Sequence, residues 1–267
     1  MARSLLDMAP EPIEKVETVM SKSLRIRVGI GGWTYAPWRG TFFPEDLPQK
    51  EELHWASRQF DSIEINGTFY RTQSASTFQK WHDSVPADFV FAVKGPRYAT
   101  HRKDLSEASS SIQRFLESGV MRLGKKLGPI NWQFSPNKRF DAPDFEAFLK
   151  CLPAKHEGQR LRHAVEVRNE SFDVPEFFDL LRDHDVAVVI SDKPDVPHFQ
   201  TLTAQDFFYV RLQAAQERFK SSYAPAATKR WVEQIKRFSA GREGFVYAIN
   251  GYKPRAPDAA LQLKKQL

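Results

Sequence analysis

Seven short apolar runs of this chain carry polar residues at alternate positions near their ends. In SIEIN (62–66), Ile63 and Ile65 alternate with Glu64 and Asn66, and in AVEVR (164–168) Val165 and Val167 alternate with Glu166 and Arg168. In INWQF (130–134), Asn131 and Gln133 fall between Ile130, Trp132 and Phe134. Lys94 closes FVFAVK, Asp192 closes VVISD, Arg211 stands in FYVRL and Asn250 closes VYAIN. The carboxylates Glu64, Glu166 and Asp192 could take and return protons. Lys94, Arg168 and Arg211 could hold a negative charge, and Asn66, Gln133 and Asn250 could bind polar groups beside it. Burying so many polar groups is costly unless they pair with one another or with a ligand. An internal salt-bridge network is therefore the structural alternative to a site.

Strand parity says where these residues sit. Side chains alternate between the two faces of a strand. Eight β-rich runs can be read, at 26–31, 62–66, 89–94, 129–134, 163–168, 186–192, 207–212 and 245–250. Helical patterns fall between and after them, at 50–60, 75–84, 106–118, 143–152, 174–184, 225–238 and 257–266, with Ser74 and Asp173 as N-cap candidates. Strands alternating with helices indicate parallel βαβ units. Eight such units in about 240 residues fit an α/β fold of one (β/α)8 TIM-type barrel. The stretch KPDVPHFQTLTAQ after Asp192 has two prolines and no helical face, so the sixth helix is expected to be short or absent. A doubly wound sheet fits less well, because GIGGW (29–33) leads into Trp33, Tyr35 and Pro37 rather than a phosphate-binding helix. In a barrel the apolar set faces the helices and the polar set faces the axis, at the carboxyl ends of the strands where barrel enzymes carry their sites.

Weaker candidates flank that ring. Trp33, Tyr35 and Trp38 follow the first strand and could wall a pocket or stack on a sugar or base. His101, in RYATHRKDL, could serve as an acid or base. His54, His82, His156, His184 and His198 fall on helices or connections and read as non-catalytic. No cofactor is expected. Glu64, Glu166 and Asp192 with His101 could make an oxygen-rich divalent metal site, but the cations of the same ring compete for those carboxylates, so no metal ligands are assigned.

Composition narrows the class. A net charge of +6 suits an anionic ligand or nucleic acid, yet no Lys/Arg block is dense enough for a nucleic-acid arm. The single Cys151 excludes a disulfide framework and a multi-cysteine zinc site, and reads as a small packed residue at a helix end. No run of 18 apolar residues suggests a membrane span, and the N-terminus lacks a signal-like apolar region. The expected organisation is an N-terminal extension at 1–24 and one barrel domain at 25–267, located in the cytoplasm. Oligomeric state is left open.

Several blocks together resemble the YecE-like family, domain of unknown function 72. They are Trp33-Thr34-Tyr35 with Trp38-Arg39-Gly40 and Phe42-Phe43-Pro44, Glu64-Ile65-Asn66 with Thr68-Phe69-Tyr70, Phe91-Ala92-Val93-Lys94, Thr100-His101, Glu166-Val167-Arg168 and Tyr209-Val210-Arg211. The resemblance runs from about Arg25 to the C-terminus. It implies a TIM barrel and, through a loose grouping with sugar isomerases, a carbohydrate-like substrate. Its polar motif positions fall on Glu64, Asn66, Lys94, His101, Gln133, Glu166, Arg168, Asp192, Arg211 and Asn250. Gln213-Ala214 stand where the family usually has His-Gly, and Gly251-Tyr252-Lys253-Pro254 replace a Gly/His-rich turn. The leading expectation is an isomerase or hydrolase of a small polar or anionic substrate, with Glu64, Glu166, His101 or Asp192 as acid or base. A non-catalytic binding barrel and a nucleic-acid-processing protein are the rivals.

Overall fold

Eight parallel strands close into a barrel in the computed structural model, which describes residues 25–219, 222–249 and 251–267. They are β1 (Ile26–Gly31), β2 (Ser62–Ile65), β3 (Val90–Lys94), β4 (Leu127–Gln133), β5 (His163–Glu166), β6 (Ala187–Ser191), β7 (Phe207–Leu212) and β8 (Glu243–Ala248). Each pairs with its neighbour in chain order, and β8 closes on β1 with Ile26 opposite Gly244 and Ile30 opposite Ala248. The 1–24 extension and Asn250 lie outside the described residues.

Among the described residues seven helices of eight or more residues surround the barrel: α1 (Glu52–Gln59), α2 (Ala75–Ser84), α3 (Ser109–Glu117), α4 (Ala142–Lys150), α5 (Pro175–Asp183), α6 (Pro225–Phe238) and α7 (Ala256–Gln266). None lies between β6 and β7, as the prolines there suggest. Ser74 caps α2, its side chain accepting from Thr77 N at 3.2 Å. Asp173 does not cap α5. Val174 holds that position in an extended conformation, because the following Pro175 disfavours helical geometry in the residue before it. Among the described residues no helix is long and apolar enough to cross a membrane.

The strands separate two cores. Their outward residues, such as Val28, Ile63, Phe91, Trp132 and Val210, pack under Phe78, Phe115, Phe148 and Phe177 of the helices. Each such side chain contributes about 1.5–3 kcal/mol by leaving water. Inside the barrel, Ala92, Ala164, Ala187 and Val189 leave room for Tyr209 and Tyr247, whose rings stand 5.3 Å apart. Below them Glu243 accepts from Arg27 (2.5 Å) and Arg162 (2.6 Å), and Arg162 stacks 4.7 Å from the Phe245 ring. Among the described residues the barrel interior is thus plugged at its amino end.

Buried His163 in this outer core accepts from Trp132 Nε1 at 3.1 Å on Nδ1, so its Nε2 carries the proton and donates to Pro153 O at 2.9 Å. Burial pulls its pKa down to about 4. Above pH 6.5 the ring is neutral in folded and unfolded chains alike; between 6.5 and 4 only the unfolded chain takes the proton, so stability falls as pH falls. His163→Gln keeps both hydrogen bonds without the titration. Urea unfolding at pH 7 and pH 5 is expected to show wild type losing on the order of 2 kcal/mol more than the variant.

Candidate functional site

One guanidinium organises the mouth. Arg211 on β7 donates from Nε and Nη2 to Glu64 Oε2 and Oε1 of β2, at 3.0 and 2.9 Å, and from Nη1 to Glu166 Oε2 of β5 at 2.5 Å. Tyr209, two residues earlier on the same face, donates its hydroxyl to Glu64 Oε2 at 2.7 Å. Arg168 covers the other side of Glu166, donating from Nη2 to Oε1 at 2.9 Å. Both glutamates are sealed, at 0% and 1% exposure. Burial alone would raise the pKa of Glu166; Arg211, Arg168 and Lys94 outweigh it and pull it down to about 2. Glu166 is therefore a permanent carboxylate near neutral pH, with no proton to give.

Above this layer lies an open cavity of about 680 Å³. Arg71, Lys94, Arg168, Arg211 and Lys253 line it, and among the described residues no Asp or Glu does. Lys94 ends β3. Its Nζ donates to Gln133 Oε1 at 2.5 Å and sits 4.1 Å from the centre of the Phe69 ring. Burial, then the charge of Arg211, lowers its pKa to about 8 against the pull of Glu166 and Glu64. The backbone here is pinned: Thr68 Oγ1 donates to Lys94 O at 2.7 Å, and Gly95 N donates to Asn131 O at 2.9 Å. Gly95 also lies on the face of Trp132, where a Cβ would come within 2.3 Å of the ring.

Gln133, Asn66 and Trp33 line the cavity together with the cations. Trp33 meets Trp81 edge-on at 5.2 Å, and the two add apolar surface to the cavity lining. Tyr35 stands outside it, packed on Trp38 at 5.4 Å and under Lys253 Nζ at 4.5 Å. His101 is at the rim, exposed, edge-on to Phe69 at 5.5 Å. Partial burial, then Arg97, Lys94 and Arg168, lower its pKa, which favours the neutral ring.

Asp192 is displaced from the expected ring by one residue. Ser191 is the residue that faces in, and the Asp192 carboxylate turns to the loop after β7, accepting from Gln213 N (2.5 Å), Ala214 N (3.0 Å) and Tyr223 Oη (2.8 Å). Burial raises its pKa, but its geometry is that of a loop clamp. Glu64, Glu166, Asp192 and His101, to which no metal is assigned, are not brought together as one cluster. Among the described residues no three His, Cys, Asp or Glu side chains are grouped as metal ligands.

Parity also predicts a residue left out of the sequence ring. Gln213 continues the inward phase of Tyr209 and Arg211, donates to Ser191 Oγ at 2.9 Å and lines the cavity. Arg71 ends a one-turn helix and Lys253 opens a short 3-10 turn, both outside the strands, so no strand period points to them.

A family model described as "Protein of unknown function DUF72" matches residues 27–267. The chain belongs to the DUF72 family. A DUF72 protein of Thermotoga maritima is 26% identical, with a TM-score of 0.74 over 90% of this chain and 98% of its own. A DUF72 protein of Enterococcus faecalis V583 shares the fold at 18% identity and a TM-score of 0.68, over 91% of this chain and 97% of its own. The UPF0759 protein YunF of Bacillus subtilis (strain 168) is 26% identical over 160 residues, 58% of this chain and 54% of YunF. This chain thus spans about half the length of that curated relative.

In this DUF72 barrel, Arg211→Met leaves buried Glu64 without a cation and Glu166 with Arg168 alone. Urea denaturation is expected to show a loss of about 3–5 kcal/mol. Adding Glu64→Gln and Glu166→Gln to the same chain is expected to restore most of it. A single variant as stable as wild type would mean the trio is not desolvated.

Proposed function

We propose that the protein is an enzyme that acts on a small anionic, carbohydrate-like molecule at the carboxyl ends of the strands. The observation that carries this reading is the sign of the cavity wall: five cationic side chains line it and, among the described residues, no carboxylate does, the partners of Arg211 and Arg168 lying sealed beneath it. A phosphate or carboxylate would sit between Lys94, Arg168 and Arg211, and a ring or chain would lie against Trp33 and Trp81. The cavity volume of about 680 Å³ falls within the roughly 300–1,000 Å³ of small-molecule sites, which favours a metabolite over a nucleic-acid strand.

The acid and base roles first considered for Glu64 and Glu166 pass to Lys94. Both glutamates are capped by arginines and closed off from the cavity. An amine with a pKa of about 8 exchanges a proton readily near neutral pH. This favours proton transfer at a carbon beside a carbonyl, an isomerisation or epimerisation, over hydrolysis by two carboxylates. Gln213 in place of the family's histidine supplies hydrogen bonds without a titrating group. No metal or cofactor is invoked for these steps.

Thermal unfolding in the presence of sugar phosphates, sugar acids and their neutral parents tests the reading. Anionic compounds are expected to stabilise the fold, by about 2.7 kcal/mol at a hundredfold excess over Kd. The effect is expected to shrink in Arg168→Leu and as pH rises through 8, where Lys94 loses its charge. Equal stabilisation by neutral sugars, or none by any anion, would remove the proposal. Deuterium uptake from D2O into a bound anion, lost in Lys94→Met, would separate an enzyme from a binding barrel.

A further inference from the structure

Lys94 differs from the arginines beside it. Arg211 pairs with Glu64 and Glu166, and Arg168 pairs with Glu166, whereas Lys94 makes no ion pair among the described residues. Its ammonium is held by a neutral amide, Gln133 Oε1, and by the Phe69 ring. The residue is 5% exposed, yet its side chain lines the cavity. An amine kept dry beside two guanidiniums and short of counter-charge is pushed towards its neutral, nucleophilic form.

Gln133 Oε1 also accepts from Arg168 Nη2, at 2.8 Å. Amine and guanidinium therefore converge on one oxygen from two sides. A ligand replacing that acceptor can offer an electrophilic carbon to Lys94 and an acid group to Arg168 only if the two lie close together in one molecule. Building on the anionic-ligand reading above, we propose that Lys94 forms a Schiff base with the carbonyl carbon of a compound that carries a carboxylate or phosphate within one to three bonds.

The step balances without a co-reactant. The ammonium first gives up a proton, and the nitrogen lone pair forms the C–N bond as the carbonyl π pair moves to oxygen. That oxygen takes the released proton and then the second amine proton, the C–O bond breaks, and water leaves. The product is an iminium whose positive charge replaces that of the ammonium. The iminium draws electrons from the neighbouring carbon, so a proton there is more easily removed than in the free carbonyl compound. Lys94 is then the residue that bonds to substrate, and Arg168 sets which carbonyl reaches it.

Reductive trapping tests this on the whole chain. The protein is incubated at pH 8 with glyoxylate and sodium cyanoborohydride, whose hydride converts an iminium to a stable secondary amine, and labelled peptides are mapped by mass. Label is expected on Lys94 well before the exposed Lys150, and inorganic phosphate is expected to slow it. Glycolaldehyde, a neutral aldehyde, is expected to show no such preference. Lys94→Arg is expected to lose the fast label. Labelling of Lys94 no faster than Lys150, in protein that phosphate still stabilises, overturns the Schiff base and leaves the anionic-ligand reading standing. Absence of both effects overturns both.

Discussion

Arg211 lies buried between Glu64 and Glu166, and the character of the barrel mouth follows from that placement. Two carboxylates facing a closed axis would repel each other and lose their hydration. The guanidinium offsets both costs by meeting Glu64 with two parallel hydrogen bonds and Glu166 with one more. Arg168 and Tyr209 satisfy further oxygens of the pair. Once capped in this way, the glutamates face inward to their partners and the cations face outward to the cavity. Glu166 acts as a fixed counter-charge, and Lys94 lines the cavity with a pKa lowered to about 8.

The charge of the wall is a matter of stoichiometry and depth. Glu64 and Glu166 are set against Arg211, Arg168 and Lys94, leaving one positive charge in excess, and Arg71 and Lys253 add to it from the rim. A second charged cluster, Arg27, Glu243 and Arg162, lies at the amino end, with the Tyr209–Tyr247 layer between them. That middle layer excludes water from beneath the mouth, so the upper cations keep an attraction for anions that bulk water would weaken. The apolar side of the cavity, Trp33 and Trp81, completes a surface suited to a ligand with one charged end and one flat face.

Most of this was legible from residue order because both the fold and the site obey the same period of two. The alternation in SIEIN, AVEVR and INWQF fixes which residues point inward, and Glu64, Glu166, Gln133, Arg168, Arg211 and Lys94 all lie where it puts them. Parity fails at Asp192, where the strand ends and the chain turns outward to clamp the following loop. It cannot reach Arg71, Lys253, Tyr35 or His101, which stand on or beside short helical turns outside the strands, whose direction depends on packing. What alternation could not give was depth. Glu64 and Lys94 share the inward phase of adjacent strands, yet one is sealed and the other lines the cavity. The difference comes from Arg211 crossing the barrel, a contact between residues 147 positions apart. In the proposed function that is why the acid and base roles fall to Lys94 rather than to the glutamates.

The most direct measurement is the titration of Glu166 itself, followed through its carboxyl carbon in protein labelled with ¹³C-glutamate and assigned with Glu166→Gln. A carboxylate clamped by Arg211 and Arg168 should show no midpoint between pH 7 and pH 4, in keeping with a pKa of about 2. A midpoint for Glu166 within that range would mean that the clamp is open, that the carboxylate is available as an acid, and that the mouth is not organised around Arg211.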